Sequence, residues 1–554
     1  MRVHPSVFAC CFMLPFVLSS CSEQDQTPSK ALISSLQLKR GSLISCGPAL
    51  NKFGSVQFSI SGNKKSKEAF ELGLKLLHSF EYDEAEKVFS TIIDEQPDCA
   101  MAYWGVAMSN FHPLWTPPTP AELEKGAKAI GIAQSLKNKT SREADYINAL
   151  AAFYANRDKE DHLTRCLAFE AAMEHLHHQY PDDHDAAALY ALALDAAADP
   201  NDKTFQKQKK AGAILNALYP GEPDHPGIAH YLIHTFDSPE LAEQGLAAAR
   251  KYASIAPSSS HALHMPSHIF TRLGLWDECI TSNLASMNSS QCYAQQAGIK
   301  GHMDEELHAL DYLIYAYLQK GDNVQAKKLV DYTADMKEIY PVNFKVAYAV
   351  SAIPCRYVLE NRQWAAAAIL QPTNPGIDWN KYPWQKATIH FTRLMGLVHT
   401  GKMEQAKTEL QSLRQAYDTL VLQKDKYKID KVLILINTGE AWIDVKEKKR
   451  NEALRLMTAA ADKEDNTEKH PVTPGELLPA RELLGDMLME MDQPSLALEA
   501  YEANLKKHPN RFNGLYGATL AAKRSGHATK ATQYFQQLRE IKKGTSSTRP
   551  ELQN

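Results

Sequence analysis

The sequence predicts an all-α protein, a right-handed solenoid of stacked helix–turn–helix units behind an N-terminal leader. Three observations carry that expectation. From about residue 66 the apolar residues keep helical spacing, broken at short intervals by Pro, Gly, Asp and Asn. Gly73, Ala85, Phe89 and Pro97 recur with the same offsets from the glycine, 12, 16 and 24, as Gly485, Ala497, Tyr501 and Pro509. Ala531 and Phe535 then follow Ala497 and Tyr501 by 34 residues, the period of one such unit. Physically, the two small residues let the paired helices approach, the aromatic ring fills the gap between them, and the proline ends the unit.

Taken in order, residues 1–20 read as a signal peptide. Ser6–Leu18 is almost wholly apolar, the length of a signal-peptide core and too short for a stable membrane span. The stretch Leu18, Ser19, Ser20, Cys21 resembles the bacterial lipobox. That resemblance implies a diacylglycerol on Cys21 and a lipid-anchored place in the bacterial cell envelope. Ser22, a non-Asp residue after the lipidated cysteine, implies the outer membrane. Residues 21–65, rich in Ser, Gln, Lys, Gly and Pro, read as a flexible tether. Within them Val56–Ile60 alternates apolar and polar, as a short strand or an extended segment laid along the first helices does.

Residues 66–287 read as an N-terminal repeat array and 307–541 as a C-terminal one. Units are legible at Pro226–Pro257, His261–Ser286, His308–Met336 (Gly321 and Ala326 at its turn) and Met395–Tyr417 (Gly401, Ala406). Roughly 10 to 13 helical pairs are expected. Residues 288–306 break the spacing and read as a loop insertion, and 542–554 as a frayed tail. The signature positions are those of the tetratricopeptide repeat (TPR). The blocks Cys99–Ser109, His225–His234, His261–Gly274 and His470–Gly485 further resemble a family of bacterial TPR lipoproteins, over about Phe70 to Leu538. The resemblance implies the architecture and brings no established activity or ligand.

The net charge of −4 offers no basic surplus to neutralise phosphates, so nucleic acid is not an expected partner. Beyond Cys21 the cysteines are Cys46, Cys99, Cys166, Cys279, Cys292 and Cys355, with no CxxC pair. An oxidising compartment permits disulfides, and spacing does not choose among the pairings.

The histidines are the most informative feature. His230 and His234 lie four apart, as do His264 and His268, and the second pair follows the first by 34 residues. Residues four apart share a helix face, and the repeat frame turns both pairs into the concave groove. His308 and Asp311 follow in the next unit. A second candidate region joins His78 and His112, also 34 apart, with Trp104 and Met108. Imidazole and thioether suit zinc or copper. Three readings stand side by side: a metal site, imidazoles binding an organic or peptide ligand, and a hydrogen-bonded structural ladder copied by repeat duplication. Pro266, between His264 and His268, must start or kink the helix there. Tyr103, Tyr231 and Tyr312 read as core, Glu482 and Asp486 as a solvated groove face, and His470 as a loop-fixing residue. No Walker A, GxGxxG, GxSxG or HExxH motif is present, so an enzyme is not the first expectation. The leading function is a lipid-anchored binding or scaffold module taking a peptide or protein in its groove. The alternatives are a zinc or copper carrier, a metalloenzyme on the same histidines, or a surface nutrient-binding lipoprotein.

Overall fold

The computed structural model describes residue 1 and residues 27–114, 117–371, 374, 376–545 and 549. The leader and Cys21 lie outside the described residues. After a short helix α1 (Lys30–Ser34) the described residues form twelve helical pairs. The first six are α2–α3 (Lys64–His78, Tyr82–Glu95), α4–α5 (Ala100–Ser109, Pro120–Ser135), α6–α7 (Ser141–Tyr154, His162–Gln179), α8–α9 (His184–Ala196, Gln206–Leu218), α10–α11 (Pro226–Thr235, Ala242–Ile255), and α12, α13 and α14 (Ser260–His264, Pro266–Leu273, Trp276–Gln296). The second six are α15–α16 (Asp304–Gln319, Asn323–Asp335), α17–α18 (Phe344–Glu360, Trp364–Ala368), α19–α20 (Pro383–His399, Met403–Gln423), α21–α22 (Lys426–Lys446, Arg450–Asp465), α23–α24 (Ala480–Glu490, Pro494–Lys507) and α25–α26 (Phe512–Arg524, Ala528–Ile541). Strand among the described residues amounts to β1 (His302–Met303) paired in parallel with β2 (Ile339–Tyr340). The fold is therefore an all-helical repeat solenoid. No helix of the described residues is long and apolar enough to cross a membrane.

The signature residues do what their sizes dictate. A Cβ on Gly73 would sit 2.6 Å from the Phe89 ring, and one on Gly105 would sit 2.5 Å from the same ring. Phe89 is thus held between its own first helix and the first helix of the next unit. Tyr501 repeats this between Gly485, at 2.7 Å, and Gly517. Ala85 and Ala497 are fully buried at the same interfaces.

The solenoid curls back on itself twice. The Nδ1–H of His230 on α10 donates to the carbonyl of His78, the last residue of α2, at 2.6 Å. In the C-terminal half the Arg511 guanidinium, at the start of α25, reaches Tyr315 of α15 (3.1 Å), Glu360 of α17 (2.9 Å) and Glu482 of α23 (2.9 Å). The halves meet where the Trp276 indole N–H donates to the Asn510 carbonyl at 2.8 Å.

Three sequence expectations are corrected. Residues 27–63 are no free tether. Leu36, Leu38, Phe53, Val56, Phe58 and Ile60 are buried in the N-terminal core, and backbone N–H groups bond across the curl, Ile44 to Glu84, Lys52 to Ser258 and Ser55 to Asp224. Val56–Ile60 is an extended segment on the first helices, with Gln57 and Ser59 facing out. Residues 288–306 are no long loop either: α14 runs on to Gln296, because its inner face keeps burying small residues (Ser286, Ser289, Ser290, Ala294) against neighbouring backbone. Finally, Arg549 in the expected frayed tail is buried, donating to the Glu360 carbonyl (2.9 Å) and Asn513 Oδ1 (2.7 Å). A Cys46–Cys292 disulfide ties the N-terminal strap to α14, while Cys99, Cys166, Cys279 and Cys355 are buried free thiols.

Gly485→Leu is expected to destabilise the protein by about 1–3 kcal/mol through overpacking against Tyr501, read from urea unfolding followed by circular dichroism. Gly131→Ala, in mid-α5 where an added Cβ meets nothing within 4 Å, should instead stabilise by up to about 1 kcal/mol through helix propensity. Equal responses would contradict the ring-between-glycines packing.

Candidate metal centre

Three consecutive first helices build the site. On α10, Pro226 occupies the first turn and His225 caps it, accepting the Ile228 N–H on Nδ1 at 3.3 Å. This sets His230 and His234 on the inner face. The next first helix breaks where the proline requires: α12 ends at His264, Met265 joins, and α13 begins with Pro266. His261 and His264 stay on α12 and His268 falls on α13. His308 comes from α15.

The four paired histidines do not make one four-membered site. They divide between two triads, each completed by a histidine of the next first helix. In one, His234 Nε2 lies 2.9 Å and His261 Nε2 3.2 Å from His230 Nε2. In the other, His264 Nε2 and His268 Nε2 lie 3.2 Å apart, and the His308 ring centroid is 4.2 Å from that of His264. Within each triad one ring nitrogen per histidine falls within 4.8 Å of the others. A ring-centroid distance of 6.2 Å between His234 and His268 separates the triads.

Proton accounting shows what the second triad lacks. Asn283 donates its amide N–H to the Cys279 carbonyl at 2.8 Å, so its Oδ1 is the acceptor facing His264. His264 Nδ1, 2.6 Å away, therefore carries the hydrogen. His268 Nδ1 donates to Asp237 Oδ2 at 2.9 Å. Burial would push the Asp237 carboxyl up, but Lys469 and Arg272 hold it well below the usual range, as a carboxylate. Burial, with the charge of neighbouring histidines, pushes His264 well below its ordinary 6.5, and burial pushes His268 down as well. Both rings are neutral with Nδ1–H committed, so two Nε2 lone pairs face one another. Two acceptors at that distance repel unless a cation lies between them, and an imidazole oriented by a second-shell carboxylate or carbonyl is the usual form of a metal ligand. In the first triad the carbonyl of His78 commits His230 Nδ1–H, leaving one lone pair at Nε2 facing two imidazole nitrogens.

His78, Asp185 and His225 are equally close together but are satisfied without a metal. His78 Nε2–H and His225 Nε2–H donate to Asp185 Oδ1 at 2.9 and 3.3 Å, and the Tyr231 hydroxyl donates to His78 Nδ1 at 2.9 Å. The second sequence candidate accordingly comes apart. His78 belongs to this network, Trp104 packs on Phe58, Phe70 and Tyr146, Met108 lines a small apolar cavity beside His78, and His112 faces Glu122 at 3.4 Å. Asp311 also leaves the candidate set: it pairs with Arg356 at 3.2 Å, and burial lifts its carboxyl to about 6. Glu482 is no solvated face, being buried against Arg511, while Asp486 pairs with Arg362 and Tyr501.

His261, Asp237 and Asn283 were missed. His261 had a signal, since it lies one helical turn before His264. Asp237 and Asn283 had none, for they reach the site across helix ends and partner helices. Beside the first triad lies a cavity of about 460 Å³ lined by Phe80, Tyr82, His112, His261, Phe344 and His470 among others. The Phe80 ring packs 4.4–5.7 Å from the rings of all three histidines of that triad.

No family model and no curated protein matches the chain. Among solved structures, the human IFIT1 dimer with m7Gppp-AAAA is similar at 12% identity and a TM-score of 0.35, over 88% of this chain and 91% of that one. The APC/C hetero-tetramer Cut9-Hcn1 is similar at 10% identity and a TM-score of 0.27, over 89% and 96%. Likenesses this loose carry nothing about what the chain binds.

Burial holds His230, His234, His264 and His308 well below 6.5 and brings His261 and His470 down to about 3. Between their folded values and 6.5 the unfolded chain binds protons that the folded chain refuses. In the metal-free protein these histidines therefore contribute in full above about pH 6.5, and their contribution is lost as pH falls below it, by up to about 1.4 kcal/mol per pH unit for each. Urea midpoints at pH 7.5 and 5.5 check this, and equal midpoints would refute it.

Proposed function

We propose that the chain is a transition-metal-binding protein that holds zinc or copper on the imidazoles of His264, His268 and His308, with His230, His234 and His261 as a neighbouring ligand set. The observation that carries the reading is the pair of His264 and His268 Nε2 lone pairs, 3.2 Å apart, with both Nδ1–H groups committed. Neutral imidazole suits zinc and copper, and three histidines leave a fourth position for another ligand. Asn283 and Asp237 orient the rings, the role that carboxylate and carbonyl partners have around bound metals. We further propose that the protein is exported and anchored to the bacterial outer membrane through a lipid on Cys21. The Cys46–Cys292 disulfide supports an oxidising compartment.

A second reading keeps the binding module. The cavity of about 460 Å³ has the size and aromatic lining of a small-molecule or side-chain pocket, and Glu305 Oε2, on one of its lining residues, is buried without a hydrogen-bond partner. An organic ligand or a partner's side chain fits there with or without metal.

Elemental analysis of the protein lacking residues 1–21 is expected to find zinc or copper at one or more ions per chain, and added metal should raise the melting temperature of the stripped protein. His268→Ala should abolish the ion held by His264, His268 and His308 together with its share of the thermal shift, while leaving any ion on His230, His234 and His261, and Asp237→Asn should weaken binding at that triad about 10–100-fold. A wild-type protein that holds no metal and shows no thermal shift with either ion ends this reading and leaves the cavity. Separately, Cys21→Ser should move the protein out of the membrane fraction and abolish incorporation of labelled fatty acid. Unchanged membrane association would refute the anchor.

A further inference from the structure

We propose that the two histidine triads form one dinuclear centre, two ions of the same metal sharing a small bridging anion. This rests on the metal-binding reading and goes beyond it in number, coupling and ligand class.

The two triads are built alike and share one segment of chain. Each triad takes an i, i+4 pair from one repeat and its third histidine from the next first helix: His230 and His234 of α10 with His261 of α12, then His264 and His268 with His308 of α15. The segment α12–α13 therefore gives one ligand to the first ion and two to the second. An ion seated in either triad fixes this segment for the other.

The six rings form an unbroken chain, with centroids 4.6 Å apart for His230 and His234, 5.0 Å for His230 and His261, 6.2 Å for His234 and His268, 5.1 Å for His264 and His268, and 4.2 Å for His264 and His308. The 6.2 Å link between the triads is shorter than the 6.4 Å His234–His261 and His268–His308 separations inside them. Ring contact therefore runs without a gap from one triad to the other.

All six ligands are neutral imidazoles. The carboxylate bonded to the set, Asp237, is already shared by Arg272 (2.8 Å) and Lys469 (3.1 Å). Two metal ions therefore add uncompensated positive charge to a buried site, where unpaired charge is costly. An anion between the ions removes that cost. His230 and His264 are fully buried, so an anion seated between the triads is small, a hydroxide, halide or azide, and larger ligands are confined to the cavity beside His261.

The test uses the chain lacking residues 1–21, stripped of metal and titrated with copper(II), with azide as the bridging probe. Two ions per chain are expected. The paramagnetic resonance signal should grow to one equivalent and then fall short of two full spins, or acquire a half-field transition, as the second equivalent enters. Azide should tighten the second ion at least about tenfold, equivalent to about 1.4 kcal/mol. His261→Ala and His308→Ala should each retain a single ion with an ordinary mononuclear signal. Should either variant not fold by circular dichroism, the wild-type titration alone decides. One ion per chain, or two with full non-interacting intensity and no response to azide, overturns the dinuclear centre and leaves metal binding standing. No copper and no zinc at all overturns both.

Discussion

Within the N-terminal half, one hydrogen bond joins the architecture to the chemistry. His230 Nδ1–H reaches the carbonyl of His78 across 152 residues of chain. It brings the end of the first helix of the array onto the inner face of the fifth pair, and so turns an open stack of helices into a closed curl. The same contact decides where the proton of His230 sits, and hence that its Nε2 lone pair looks inward. Closure buries the inner face, burial keeps the imidazoles neutral, and neutral imidazoles are the form that ligates. Gly227 permits the approach, because a Cβ there would run into the His78 ring. In a more open solenoid the same histidines would be solvated and free to reorient.

The C-terminal half supplies the counterpart. The segment between α22 and α23 threads the second curl, where Arg356 binds the Gly475 and Glu476 carbonyls at 2.7 and 2.5 Å. Its Lys469 reaches back to Asp237, the residue that orients His268. Two halves with separate apolar cores therefore share one polar seam, and the orientation of a candidate ligand depends on a residue more than 200 positions away. Buried ion pairs such as Arg511 with Glu360 and Glu482 cost several kcal/mol when one partner is removed. They hold the second curl closed much as the histidine network holds the first.

The repeat spacing, the aromatic ring that fills the gap between paired helices and the doubled histidine pairs were legible in the sequence because they are local: each follows from offsets within one or two units. The break at Pro266 was legible for the same reason. The division of the histidines into two triads was not, since it depends on how far each first helix turns relative to the next. The strap of residues 27–63 was misread because its composition is that of a linker; beyond the alternation of Val56, Phe58 and Ile60, its buried apolar residues Leu36, Leu38 and Phe53 follow no period. Asp311 and Glu482 were misassigned for a related reason. Their repeat positions do face inward, but the inside of a closed curl holds arginines that claim them.

The Cys46–Cys292 disulfide closes a covalent loop around most of the N-terminal half. Mechanical tension applied at the N-terminus passes from residue 46 to residue 292 through the sulfurs and on into α14, without loading the chain between. Five of the six triad histidines lie inside that loop and His308 just beyond it. Tension applied there would thus strain the second half of the protein while the first five helical pairs stay slack.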